Sequence, residues 1–159
     1  MLRKLLSTND DRVQTVLRIV LGVVFLAHGG QMVLGWFGGS NLASSAANFI
    51  HMGIPAPLAY LAILAQFLGG IGLIVGLLGR IAAFGIACDM LVAIFAVHLP
   101  NGIFMNWAGS QKGEGFEYHL LALALCAAIM IKGSGAFSLD GALHANLSRQ
   151  HTRSPLPAA

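Results

Sequence analysis

Residues 57–78 read PLAYLAILAQFLGGIGLIVGLL, a stretch without one charged side chain. A helix needs about 20 mostly apolar residues to cross the hydrocarbon core of a bilayer, which is about 30 Å thick. This stretch therefore predicts a transmembrane helix. Three further apolar segments predict the same at 13–34, 81–99 and 116–131, the last of which is short enough to require tilt or local thinning of the bilayer. We expect an all-α membrane protein built as a four-transmembrane-helix bundle.

The overall composition favours the same class of protein. Of the 159 residues, 57% are apolar and only 9% are charged, whereas soluble domains carry about 25% charged residues. The basic residues are scattered rather than clustered, so the net charge of +3 does not indicate nucleic-acid binding. The N-terminal region imitates a signal peptide, but Arg18 interrupts its apolar stretch and no small-x-small cleavage site follows. We expect a retained first helix.

The distribution of basic residues predicts the orientation. With the N-terminus inside, all but one of the nine Lys and Arg lie on or near the cytoplasmic side, and only Lys112 lies outside. Cytoplasmic segments of membrane proteins carry such an excess of positive charge. The prediction is therefore that both termini are cytoplasmic, with residues 1–12 before the membrane domain, 13–132 within it and 133–159 as a tail. In the tail, 138–147 is expected to form a short interfacial helix and the remainder to be disordered.

Small residues recur on one face of the second segment. They are Ala62, Ala65, Gly69, Gly72 and Gly76. Small residues let helix backbones approach closely in lipid, where the hydrophobic effect does not drive helices together. Packing within one bundle is the favoured interpretation, and a homo-oligomer is the alternative.

Two ionisable residues lie at membrane depth on the cytoplasmic half, where burial costs about 3 kcal/mol and the side chain usually faces the bundle. Arg18 lies about 8 Å into the first segment, and Asp89 lies about 12 Å into the third. A buried Arg18–Asp89 ion pair is one interpretation. In the other, Arg18 extends to the cytoplasmic headgroups.

All four segments also bring polar side chains to the periplasmic half. The candidates are His28, Gln31, Trp36, Gln66, His98, Asn101, Glu117 and His119. We expect them to form either a small-molecule, quinone or metal site or a structural polar network. Quinone is preferred over metal because no pair such as H-x-x-x-H is present. Cys88 and Cys126 lack a C-x-x-C spacing, so dithiol chemistry is not expected.

Several motifs together resemble the DoxX family of bacterial membrane proteins. They are Arg18-x3-Gly22-x2-Phe25-x2-His28-Gly29-x-Gln31, Gly35-Trp36-Phe37-Gly38-Gly39, Gln66-x2-Gly69-Gly70, Gly79-Arg80, His98-Leu99-Pro100-Asn101-Gly102-x-Phe104, Glu117 and Ser138-Leu139-Asp140. The resemblance extends over roughly 13–143. It implies a multi-pass protein of the bacterial cytoplasmic membrane, and it implies that many relatives carry Glu at the position of Gln66.

The resemblance implies a link to quinol oxidases, to thiosulfate:quinone oxidoreduction and to oxidative-stress complexes, without an established set of catalytic residues. The first hypothesis is a quinone-linked subunit that works with a redox partner subunit, since the sequence contains no haem-attachment, iron–sulfur or flavin motif. The second is a non-catalytic membrane anchor for a redox or stress-response enzyme. A small transporter is less favoured, because no inverted repeat is evident. Whether the chain is itself an enzyme stays open.

Overall fold

The computed structural model describes residues 2–153, and this part of the chain is helical without a strand. Its α-helices are α1 (Leu2–Leu6), α2 (Arg12–Val33), α3 (Leu42–His51), α4 (Ala56–Val75), α5 (Gly79–Ala93), α6 (Glu117–Lys132) and α7 (Leu139–Arg153). Helix α5 continues through a π-helical segment, Ile94–His98, and a 3-10 turn, Leu99–Asn101. Another 3-10 turn occupies Trp36–Gly38.

Three described helices are long and apolar enough to cross a membrane, namely Arg12–Val33, Ala56–Val75 and the continuous Gly79–Asn101. This confirms the prediction of an all-helical protein with membrane-spanning helices. Helix α6 has 16 residues and is shorter than these three.

Two of the observed helices were not predicted from the sequence, and a third is longer than predicted. Helix α1 precedes the first predicted segment and α3 lies between the first and second, where no helix was predicted. Helix α7 runs to Arg153, so residues 148–153 are helical rather than disordered. The expected disorder of 154–159 lies outside the described residues.

Helices α2 and α4 pack so closely that only glycine fits between them. A β-carbon placed on Gly22 would lie 2.9 Å from the carbonyl oxygen of Gly70, and one on Gly29 would collide with the backbone of Phe67. The close approach of small residues expected in lipid therefore occurs here. Helix α5 packs between α4 and α6, which completes the bundle.

A layer of buried apolar side chains crosses the middle of this bundle. It includes Leu21 and Phe25 of α2, Leu73 of α4, Ile86 of α5 and Cys126 of α6. The layer separates two polar regions. We call the region around Arg18 and Arg80 the arginine end, and the region around His28, His98 and His119 the histidine end.

Arg18 does not pair with Asp89, which corrects one expectation from the sequence. The guanidinium is fully buried and donates to backbone carbonyls instead, at 2.7 Å to Ser134 and 2.7 Å to Ile74, with Leu73 and Phe137 as further acceptors. These carbonyls belong to the last turn of α4 and to the segment between α6 and α7. A cation at this position stabilises the negative end of the α4 dipole, so Arg18 has a partner without any carboxylate.

Asp140 places a negative charge at the N-terminus of α5, as Arg18 places a positive charge at the C-terminus of α4. Its buried carboxylate accepts from the backbone N–H groups of Leu78 (2.7 Å) and Gly79 (3.0 Å) and from the Ser134 hydroxyl (2.6 Å). A carboxylate at a helix N-terminus satisfies N–H groups that have no partner within the helix. Gly76, with a φ of +70°, ends α4 in the left-handed conformation. The tight α4–α5 turn is therefore stabilised at both helix ends by buried charges from other helices.

The terminal segments are also attached to the arginine end. Arg80 donates to carbonyls of Lys4 (2.9 Å), Ser7 (2.8 Å) and Met130 (2.9 Å). Asp11 caps α2 by accepting from the N–H of Gln14 at 3.1 Å, and this bond lowers the pKa of the Asp11 carboxyl below its ordinary value of 3.8. Arg18, Arg80 and both terminal helices thus share one end of the bundle.

Candidate functional site

A cavity of about 410 Å³ occupies the histidine end of the bundle. Its polar lining consists of His28, Gln66, Asp89, His98, Glu114, Tyr118 and His119. Its apolar lining consists of Phe25, Phe49, Met52, Ile54, Met90, Val92, Ala93, Ala96, Val97 and Met105. Small-molecule sites are typically cavities of this size, mostly apolar and with a few convergent polar groups.

Four rings form a row along one side of this cavity. The ring centroids lie 6.3 Å apart for His28 and Tyr118, 5.4 Å for Tyr118 and His119, and 4.2 Å for His119 and His98. The row thereby joins α2, α6 and the π-helical end of α5. Since π-helical turns often occur at functional sites, it is notable that His98 ends the π-helical segment and lies against His119.

Two of these histidines have one ring nitrogen engaged by a backbone carbonyl. The Nδ1 atom of His28 lies 2.9 Å from the carbonyl of Val24, and Nδ1 of His98 lies 2.8 Å from the carbonyl of Glu114. A carbonyl only accepts, so the hydrogen-bonding assigns the proton to Nδ1 in both rings. In the neutral form, each Nε2 then has a lone pair for a ligand.

Two further polar atoms on the cavity lining have no hydrogen-bond partner in the described part of the chain. They are the buried hydroxyl oxygen of Tyr118 and the buried Nδ1 of His119, whose residue is only 6% exposed. Buried polar groups are nearly always bonded, and leaving one unbonded costs about 1–3 kcal/mol. Both residues line the cavity, so a small rotation of either side chain would present its polar atom to a ligand there.

Asp89 and Gln66 lie together deeper in the membrane region. The amide nitrogen of Gln66 donates to Oδ2 of Asp89 at 2.5 Å. Asp89 precedes His98 by nine residues, which corresponds to about 13 Å along a helix. The cavity thus extends from the end of the bundle down to a carboxylate in its interior.

Four of the residues expected at the site do not line this cavity. Gln31 lines a separate shallow pocket beside α3, and the indole of Trp36 packs over Gly30. Asn101 donates to the carbonyl of Glu114 at 3.1 Å. These contacts hold the loops at the histidine end rather than form the cavity.

Glu117 is the fourth residue, and it also organises a loop. Its carboxylate accepts from the N–H of Met105 at 2.9 Å and from the indole nitrogen of Trp107 at 3.3 Å. The loop is thereby folded back so that Met105 reaches the cavity. Of the sequence candidates, the structure brings together His28, Gln66, His98 and His119, while Gln31, Trp36, Asn101 and Glu117 lie around them.

Sequence reasoning missed several lining residues. Asp89 was expected in an ion pair with Arg18, and Tyr118 was not among the candidates. Gln66 and Asp89 both lie near the middle of adjacent predicted segments, and this could have indicated a contact between them. Phe49 and Met52 carried no such signal, because only the unpredicted fold of α3 brings them over the cavity.

The described residues contain no group of three or more His, Cys, Asp or Glu side chains arranged to hold a metal ion. Cys88 is exposed, Cys126 is buried, and both are free thiols. The cavity is mostly apolar with a few polar groups, which is the usual lining of a small-molecule site.

The DoxX family model matches residues 13–99, which is more than half of the chain. The chain belongs to the DoxX family, as its motifs predicted. The matched region includes His28, Gln66, Asp89 and His98 and ends before Tyr118 and His119. Searches of curated proteins and of solved structures give no match to this chain.

Proposed function

We propose that the chain is a four-span subunit of the bacterial cytoplasmic membrane that binds a membrane quinone in the cavity at the histidine end. The observation that carries this proposal is the combination of an apolar cavity with two buried polar atoms, on Tyr118 and His119, that lack partners.

The position of α6 supports a fourth span. It packs along α5, begins beside the histidine-end loop at Glu117 and ends at Lys132, whose ammonium lies 3.4 Å from the Asp11 carboxylate. Its 16 residues give a length of about 24 Å, close to that of a thinned hydrocarbon core. Helix α6 thus extends between the same two ends as the three longer helices.

The charges support an orientation with both termini inside. The basic residues of α1, α2 and the α4–α5 hairpin gather at the arginine end, and Lys112 lies in the loop at the other end. Reporter fusions after Gly79 and Ala159 are expected to read cytoplasmic, and fusions after Ser45 and Ser110 periplasmic. A periplasmic signal after Ala159 would contradict the four-span topology.

The polar groups match the hydrogen-bonding chemistry of a quinone head group. The Tyr118 hydroxyl can donate to a quinone oxygen, and the Nε2 lone pairs of His28 and His98 can accept from the hydroxyls of the quinol. A ring nitrogen that accepts a hydrogen bond from a quinol hydroxyl is positioned to take up the proton of that hydroxyl. Electrons would pass to a redox partner subunit.

The direct test is equilibrium binding of a short-chain quinone to the purified protein in mild detergent. Replacing Tyr118→Phe removes one hydrogen bond, worth about 0.5–1.5 kcal/mol, and is expected to weaken binding roughly 2- to 13-fold. His51→Ala is the matched control, because His51 is exposed near the same end and does not line the cavity. Equal affinity of wild type and Tyr118→Phe, or no binding by the wild type, would contradict the quinone site and favour the anchor hypothesis.

A further inference from the structure

The cavity is partly open, and its lining includes residues from the end of α3 and from the last turns of α5. We call this opening the lateral gap; it is bounded by Phe49, Met52 and Ile54 on one side and by Val92 and Ala96 on the other. Val92 is 47% exposed and Met52 is 52% exposed, although both line the cavity. The same residues therefore face both the cavity and the surroundings of the bundle.

With Gly79–Asn101 spanning the membrane, as proposed above, the surroundings at this level are lipid rather than water. Val92 and Ala96 are one turn apart within the apolar span Gly79–Asn101, so their exposed faces lie on the membrane-facing side of that helix. Helix α3 packs on α4 and α2 rather than on α5. The gap between α3 and α5 is thus an apolar passage from the cavity into the bilayer.

The two polar atoms of the cavity lining that have no partner, on Tyr118 and His119, do not belong to the elements that border this passage. Tyr118 and His119 belong to α6, and Gln66 and Asp89 lie deeper along the bundle. A molecule with its polar head against these groups would have its remaining part directed at the lateral gap. This polarity fits an amphiphile with a long apolar chain, whereas the gap offers a water-soluble ligand no polar contact.

We infer that the lateral gap holds the hydrocarbon chain of the ligand, and that the ligand enters sideways from the leaflet at the histidine end. This inference rests on the proposed quinone site and adds to it the location of the chain and the route of entry. It identifies Ala96 as the residue that keeps the passage open, because a side chain larger than methyl at this position would extend across it.

The test compares two quinones with the same head group, one without a chain and one with a saturated chain of about ten carbons. In Ala96→Trp, the indole is expected to lower the affinity for the chain-bearing quinone about tenfold, within the range that overpacking produces, and to leave the chainless quinone within about twofold. Ala96→Leu should give a smaller loss of the same kind. Ala124→Trp is the matched control, because Ala124 is an exposed alanine of α6 that does not line the cavity.

The outcomes separate this inference from the proposed function. If the wild type binds both quinones and the Ala96 variants weaken them equally or not at all, the lateral gap does not hold the chain. If the wild type binds neither quinone, the quinone site itself is wrong. Size-exclusion elution identical to that of the wild type establishes that a variant is folded, and Ala96→Leu replaces Ala96→Trp if the latter does not meet this criterion.

Discussion

The partner of Arg18 can be determined by a double-mutant cycle. In the structure its guanidinium donates to the Ser134 carbonyl at 2.7 Å, and the hydroxyl of the same serine donates to Asp140 at 2.6 Å. Arg18 and Asp140 therefore share one buried network, whereas Asp89 lies in another with Gln66. We expect Arg18→Gln and Asp140→Asn to be coupled, and Arg18→Gln and Asp89→Asn to be additive.

The expected magnitudes follow from burial and hydrogen bonding. Arg18 is completely buried, and removing one member of a buried charged network costs about 3–5 kcal/mol. Asp140→Asn weakens bonds to a charged acceptor, which are worth about 1.5–3 kcal/mol. Residues in one network show coupling energies of about 0.5–3 kcal/mol, while independent sites add to within about 0.5 kcal/mol.

The assay is reversible unfolding of the single and double variants in mixed micelles of mild detergent and dodecyl sulfate, followed by circular dichroism. The reasoning would be refuted if Arg18 coupled to Asp89 by more than 0.5 kcal/mol or so and did not couple to Asp140. That result would restore the ion pair expected from the sequence.

Two further predictions concern packing and pH. Gly22→Ala should destabilise the protein by about 1–3 kcal/mol, because its methyl group would lie 2.9 Å from the carbonyl oxygen of Gly70. Gly85→Ala is the control and should not destabilise the protein, because its new methyl group meets only ordinary contacts. Equal stability of the two variants would contradict the tight α2–α4 contact. Because hydrogen bonding lowers the folded-state pKa of Asp11, its carboxylate stabilises the fold above the ordinary value of 3.8 and loses this effect as the pH falls through the lower folded-state pKa. Thermal unfolding should accordingly show the wild type more stable than Asp11→Asn at pH 6 but not at pH 2, and a difference that is independent of pH would contradict this role.

The membrane helices could be predicted from the sequence because hydrophobicity over about 20 residues is a local property. The segments predicted at 13–34 and 57–78 correspond to α2 and α4 within a few residues. The predicted segment 57–78 ends three residues beyond Val75, because Gly76 is the C-cap that ends α4. The position of a left-handed C-cap is set by the glycine that adopts a positive φ, and several glycines of this region could adopt it.

The partners of the buried charges could not be predicted because they are backbone atoms. Depth along the helices placed Arg18 and Asp89 within reach of each other, but a search for opposite charges overlooks carbonyl groups at the end of a helix. Asp140, which has a charged role in the same network, was expected in a tail beyond the membrane. The cavity was predicted only in part. The position of the histidines near the same ends of the helices indicated that they lie together, but the sequence did not indicate that α3 folds over them.

The central claim is that a quinone head group binds between His98, Tyr118 and the loop of Met105, and photolabelling tests it most directly. A quinone with a photoreactive group on its ring would be added to the purified protein in lipid nanodiscs, illuminated, and the labelled residues identified by mass spectrometry. We expect labels at cavity residues such as Met105 and Tyr118, lost on adding excess unlabelled quinone. Labels confined to lipid-facing residues outside the cavity, such as Phe84 of α5, and unaffected by competition would contradict the claim.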